Sequence, residues 1–183
     1  MQRSLGCLAL LGALVLAAPA RADDPAGSLM AAALADPEGD VGAGAMIDLG
    51  MPIENVLRLG GSLGVGSLVS TRDETNRVVM PLGVYVGVVL SLSPDLSILL
   101  RARGGIWGGA TQEVKLALGG FVGGGVALGI SLGSGVSFDI GLDVWGTLGG
   151  PNLGTGAPSD AVLFAPGLGL SWGGVDVAAD PEA

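Results

Sequence analysis

A chain of 183 residues with 35 glycines is 49% hydrophobic yet only 14% charged, whereas soluble domains carry about 25% charged residues. Most of its surface is therefore not expected to face water, and a net charge of −9 disfavours nucleic acid and other polyanionic partners. One cysteine and no histidine exclude a disulfide-held domain and leave no ligand set for a transition metal.

Residues 1–22 read as a cleavable export signal. Arg3 supplies the basic start, Leu5 to Ala18 form the apolar run, and Ala20-Arg21-Ala22 places small residues at a cleavage site before Asp23. The run is too short, and too quickly ended by Pro19 and charge, to anchor the chain in a membrane. Cleavage would remove Cys7 together with Arg3 and Arg21, leaving a cysteine-free and still more acidic chain.

Residues 23–40 form an N-terminal segment with a possible first strand. Ser28 to Ala35 is alanine-rich and equally compatible with a short helix or no fixed structure. Asp36-Pro37-Glu38-Gly39-Asp40 follows as a turn. Its alternating carboxylates have calcium-loop spacing, but no bidentate Glu follows at the right distance, so an acidic turn without metal is expected.

From Val41 the chain alternates apolar with small or polar residues, period two, over residues 41–51, 56–70, 78–92, 96–107, 114–132, 136–146 and 162–172. In the third of these, Val78, Met80, Leu82, Val84, Val86, Val88, Leu90 and Leu92 share one parity. Successive strand side chains point to opposite faces, so each stretch predicts a two-faced strand. Short connections (Pro52 to Asn55, Ser93 to Asp95, Gly133 to Gly135) alternate with mostly longer ones (Thr71 to Arg77, Ala110 to Glu113, Thr147 to Asp160). That rhythm suits an antiparallel up-and-down barrel. Single-chain barrels in bacterial outer membranes have even strand numbers, so an eighth strand is sought before Val41.

The charged residues orient the strands. Asp48, Arg58, Arg101, Arg103, Lys115, Asp139 and Asp143 all occupy the parity opposite the large aliphatics. An Arg or Lys facing lipid near the midplane costs roughly 2–4 kcal/mol, so these seven are expected inside, paired or lining a narrow pore. Tyr85, Trp107, Phe121 and Trp145 share the inward parity. A water-facing barrel with an apolar lumen fits poorly, because the second face is mostly Gly, Ala and Ser. Small residues suit an eight-stranded interior, which is only just wide enough for side chains to fill.

The last stretch points Phe164, Pro166, Leu168, Leu170 and Trp172 outward. An outward aromatic closing the final strand resembles the C-terminal signal of small bacterial outer-membrane β-barrel proteins. By size, the eight-stranded OmpA transmembrane domain and OmpX are the nearest likeness. The resemblance spans residues 41–172 as a pattern, not a fixed string; residues 173–183 add an acidic tail where that family often stops. It implies an all-β transmembrane barrel of about eight strands in a Gram-negative outer membrane, monomeric and in contact with its lipid, with Phe138, Phe164 and Trp172 at the membrane interfaces. Outer-membrane barrel enzymes of this kind resemble one another in using His with Ser. With no histidine here, neither an enzyme nor a cofactor is expected.

Three roles follow: a structural or narrow-pore barrel, a barrel presenting Thr71–Arg77 and Thr147–Asp160 to an extracellular partner, and a glycine-packed helical membrane protein. The presenting role assumes strands of 15 or more residues that outreach the apolar band. The helical role rests on Gly125, Gly129 and Gly133, spaced four apart as in packed membrane helices.

Overall fold

A computed structural model describes residues 25–37, 39–53, 56–69, 76–110, 117–148 and 162–173. They form β1 (Ala26–Ala35), β2 (Val41–Ile53), β3 (Leu57–Val69), β4 (Asn76–Ser93), β5 (Leu96–Ala110), β6 (Ala117–Gly133), β7 (Val136–Leu148) and β8 (Val162–Trp172). Every neighbouring pair is antiparallel, and β1 pairs with β8 to close an eight-stranded barrel. Closure removes both free sheet edges, because every strand has a neighbour on each side.

The alanine-rich segment before Val41 is thus a strand, in register with β2 from Ala26↔Gly50 to Ala35↔Val41. Its acidic turn is held by its own groups. The Gly39 amide donates to the Asp36 carbonyl (3.2 Å), and the Asp40 amide donates to Asp36 Oδ1 (2.9 Å). Gly39 takes a φ of 96°, which a side chain would resist.

Several connections are shorter than the sequence pattern suggests. Pro52, Ile53, Ser93, Ala110, Gly133, Thr147 and Leu148 lie inside strands, as do Asn76 and Arg77. The β6–β7 turn has φ of 51° at Ser134 and 70° at Gly135, the two positive values that a type I′ hairpin needs. Strands of 15 or more residues are confined to β4, β5 and β6, and β1 has only 10. The loops assigned to a presenting role lie outside the described residues over 71–75 and 149–160, as does Lys115.

The helical alternative is overturned. Gly125, Gly129 and Gly133 lie in β6, and their spacing of four follows from strand alternation, which repeats a face every two residues.

The outer wall is apolar. Val84 is 67% exposed and Met51 72%, with Leu82, Ile106, Leu118, Val122, Leu142 and Leu168 also exposed on that side. The interior is layered from the short-turn end to the long-loop end. A serine-rich chamber comes first, then a belt of charges, then an apolar layer containing Leu34, Met46, Leu68, Trp145 and Leu163. Phe121 and Trp107 extend that layer, with Phe121 and Trp145 tilted by 47° at 6.4 Å between centroids.

Candidate functional site

Asp48 on β2, Arg101 and Arg103 on β5 and Asp143 on β7 meet at mid-height, across the lumen. Arg103 donates through Nε and Nη2 to the two oxygens of Asp48, at 2.9 and 2.5 Å. This two-pronged match of guanidinium to carboxylate is the strongest ion-pair geometry side chains offer. Ser28 and Ser62 hydroxyls donate to the same carboxylate at 3.0 and 2.8 Å, so Asp48 sits in a full donor shell. Arg103 Nη1 also lies 3.0 Å from Asp143 Oδ2, and Arg101 Nε donates to Asp143 Oδ1 at 3.0 Å. Two acids and two bases thus form one neutral chain, each side chain at most 3% exposed.

Two methionines complete this layer. Met30 and Met46 face each other across β1 and β2. Arg101 Nη2 reaches Met30 Sδ at 2.6 Å, and the Ser62 hydroxyl reaches Met46 Sδ at 3.2 Å. Thioethers are weak acceptors, and nothing in the strand pattern singles them out. Arg101 Nη1 has no hydrogen-bond partner among the described residues, nor do the indole N–H groups of Trp107 and Trp145.

Glycine placement explains how large groups fit. Gly125 lies between Arg101 and Asp143, Gly123 between Arg103 and Trp145, and Gly87 between Arg58 and Arg101. A Cβ on Gly123 would sit 2.7 Å from Trp145 Cδ1, and one on Gly125 would collide with Asp143 Oδ1. Glycine on one strand is the space that its neighbour's inward side chain fills.

The remaining inward charges lie apart. Arg58 and Asp139 face the short-turn chamber, Arg58 donating to the Gly173 carbonyl at 3.2 Å and Asp139 accepting from Ser171 at 3.2 Å. Near the long-loop end, Arg77 pairs with Asp40 at 2.7 Å. Sequence reasoning missed this pair because it assigned both residues to connections.

Of the aromatics expected at interfaces, Phe138 and Trp172 lie toward the short-turn end and Phe164 toward the other, paired with Val144. Trp172 faces Gly27 across the closure seam, its indole occupying the space a side chain at Gly27 would need.

No protein-family model matches the chain, and no curated protein matches it in sequence. Solved structures do. Neisserial surface protein A superposes with a TM-score of 0.63 at 12% identity, over 84% of this chain and 97% of that one. The N-terminal β-barrel domain of Pseudomonas aeruginosa OprF gives 0.45 at 12% identity, over 80% and 96%. The outer membrane enzyme PagL gives 0.45 at 13% identity, over 79% and 98%. The likeness to the Neisserial protein is one of fold: an eight-stranded closed barrel.

Proposed function

We propose that this chain is an outer-membrane barrel with a structural role, its apolar wall in lipid and its lumen sealed at mid-height. One observation carries the sealing: the Asp48–Arg103–Asp143–Arg101 chain crosses the interior with every member buried. An eight-stranded barrel has little room beyond its own side chains, and the aromatic layer lies above that chain. The orientation follows from the connections. Short turns belong on the periplasmic side and longer loops outside.

The wall supports the lipid assignment. A continuous exposed aliphatic surface of this extent is unfavourable in water, where contiguous apolar patches rarely exceed a few hundred Å². Val84, near the middle of β4 and pointing outward, is a sensitive probe. Val84→Arg should destabilise the barrel by about 2–4 kcal/mol in lipid vesicles, by urea titration. A cost under about 0.5 kcal/mol would indicate that this face does not meet hydrocarbon.

Planar-bilayer recording tests the sealing. The refolded protein should give no stable conductance steps. Long-lived, uniform openings would mean that the lumen is a continuous pore, and the sealed reading would fail.

A further inference from the structure

The chamber at the short-turn end differs from the rest of the lumen. It encloses about 290 Å³. The β4–β5 hairpin builds one wall: Leu57, the first residue of β3, pairs with Val88, and β4 continues to Ser93. The buried charge chain lies on its inner side.

Of its three charged lining residues, Asp95 is exposed on the β4–β5 turn, and the two buried ones are placed unlike those above them. Arg101 and Arg103 are clamped on carboxylates, whereas no ion pair joins Arg58 to Asp139 or to another described carboxylate. Both are buried, at 5% and 2% exposure, and both line the chamber. Their described partners are neutral: the Gly173 carbonyl for Arg58 and the Ser171 hydroxyl for Asp139. Arg58 and Asp139 attract one another, and Asp139 attracts Arg101, only at a distance and without direct contact, and burying charges without a contacting ionic partner is costly. Hydroxyls of Ser97 and Ser137 face the same space, and Gly129 leaves it open, since a Cβ there would lie 3.0 Å from Asp139 Oδ1 and 2.7 Å from Ser97 Oγ.

We propose that this chamber binds a small zwitterion of amino-acid or dipeptide size, its carboxylate on Arg58 and its ammonium on Asp139. A guanidinium presents a planar fork matched to a carboxylate, and a carboxylate accepts from an ammonium. A simple anion would meet Asp139 and a simple cation would meet Arg58, so one ligand carrying both signs suits the pair better than either. At about 30 Å³ of liquid volume per water, the chamber holds the equivalent of roughly ten waters, which matches a ligand of about ten non-hydrogen atoms. The site needs only the fold; the sealed outer-membrane reading adds that it opens toward the periplasm.

Calorimetric titration of the refolded protein in micelles tests this with four probes: glycylglycine, N-acetylglycylglycine, glycylglycinamide and glucose. Glycylglycine should bind saturably, and removing either of its charges should weaken binding about tenfold or more, as charge-assisted hydrogen bonds of 1.5–3 kcal/mol imply. Arg58→Gln and Asp139→Asn should each weaken glycylglycine to a similar degree. The ligand series uses the unaltered protein, so it decides the matter even where a variant fails to refold. No saturable binding of glycylglycine, equal binding of all four probes, or a preference for glucose would overturn the proposal. Circular dichroism of the same sample separates that outcome from loss of the barrel itself.

Discussion

Asp48→Ala should lower the unfolding free energy of the refolded barrel by about 3–5 kcal/mol, the usual cost of leaving a buried charge without its partner. Asp48 is 1% exposed and accepts from Ser28, Ser62 and two nitrogens of Arg103. Without it, Arg103 keeps only Asp143, which already serves Arg101. Urea titration in micelles measures the loss. The double variant Asp48→Ala/Arg103→Met should recover much of it, because an apolar replacement of a buried pair is often neutral or stabilising. A loss below about 1 kcal/mol for the single variant would mean that water reaches the charge chain. The lumen would then be wet at mid-height.

Gly125→Val should be comparably damaging, at about 3 kcal/mol or more, although it adds only apolar atoms to a strand. The new Cβ would collide with Asp143 Oδ1 and lie 2.7 Å from its Cγ and 2.8 Å from the Leu142 carbonyl. Overpacking typically costs 1–3 kcal/mol, and here it would also displace Asp143 from Arg101. Gly104→Val is the matched control. Gly104 belongs to the outward parity of β5, where the nearest atom to an added Cβ is the Phe121 carbonyl oxygen at 3.6 Å. That variant should stay within about 0.5 kcal/mol of the parent or gain stability, because a β-branched residue suits an exposed strand face. Equal losses at both positions would undo the assignment of glycine as interior space.

The contrast between these glycines also marks what the sequence could and could not convey. Val41 onward shows its strands because period-two alternation is a local property: one face meets apolar surroundings and the other a crowded lumen. β1 hides it. Leu29, Ala31 and Ala33 point out, while Met30, Ala32 and Leu34 point in, Ala32 and Leu34 into the apolar layer and Met30 against Arg101. Leu68 and Leu163 break the parity rule for the same reason, being aliphatic residues in the inward apolar layer.

The charge chain was half visible. The inward parity of Asp48, Arg101, Arg103 and Asp143 follows from the hydrophobic pattern. Their contacts depend on barrel closure and register, which place β2, β5 and β7 around one lumen. No pattern along one strand encodes that Arg103 meets Asp48 across 55 residues of chain. The separateness of Arg58 and Asp139 was likewise invisible, since both share the parity of the paired charges. What distinguishes them is height along the barrel, set where the β4–β5 hairpin outreaches β3.

Which face meets lipid is reported directly by the three natural tryptophans. Trp107 and Trp145 are buried on the inner face, while Trp172 has the outward parity beside Gly27. The measurement is quenching of tryptophan fluorescence in vesicles of lipid brominated near the headgroup, for the parent and for Trp172→Phe. Clear quenching is expected in the parent and loss of most of it in the variant, the inner pair being shielded by the wall. Quenching that persists unchanged without Trp172 would place Trp107 and Trp145 against lipid and reverse the assignment of every face.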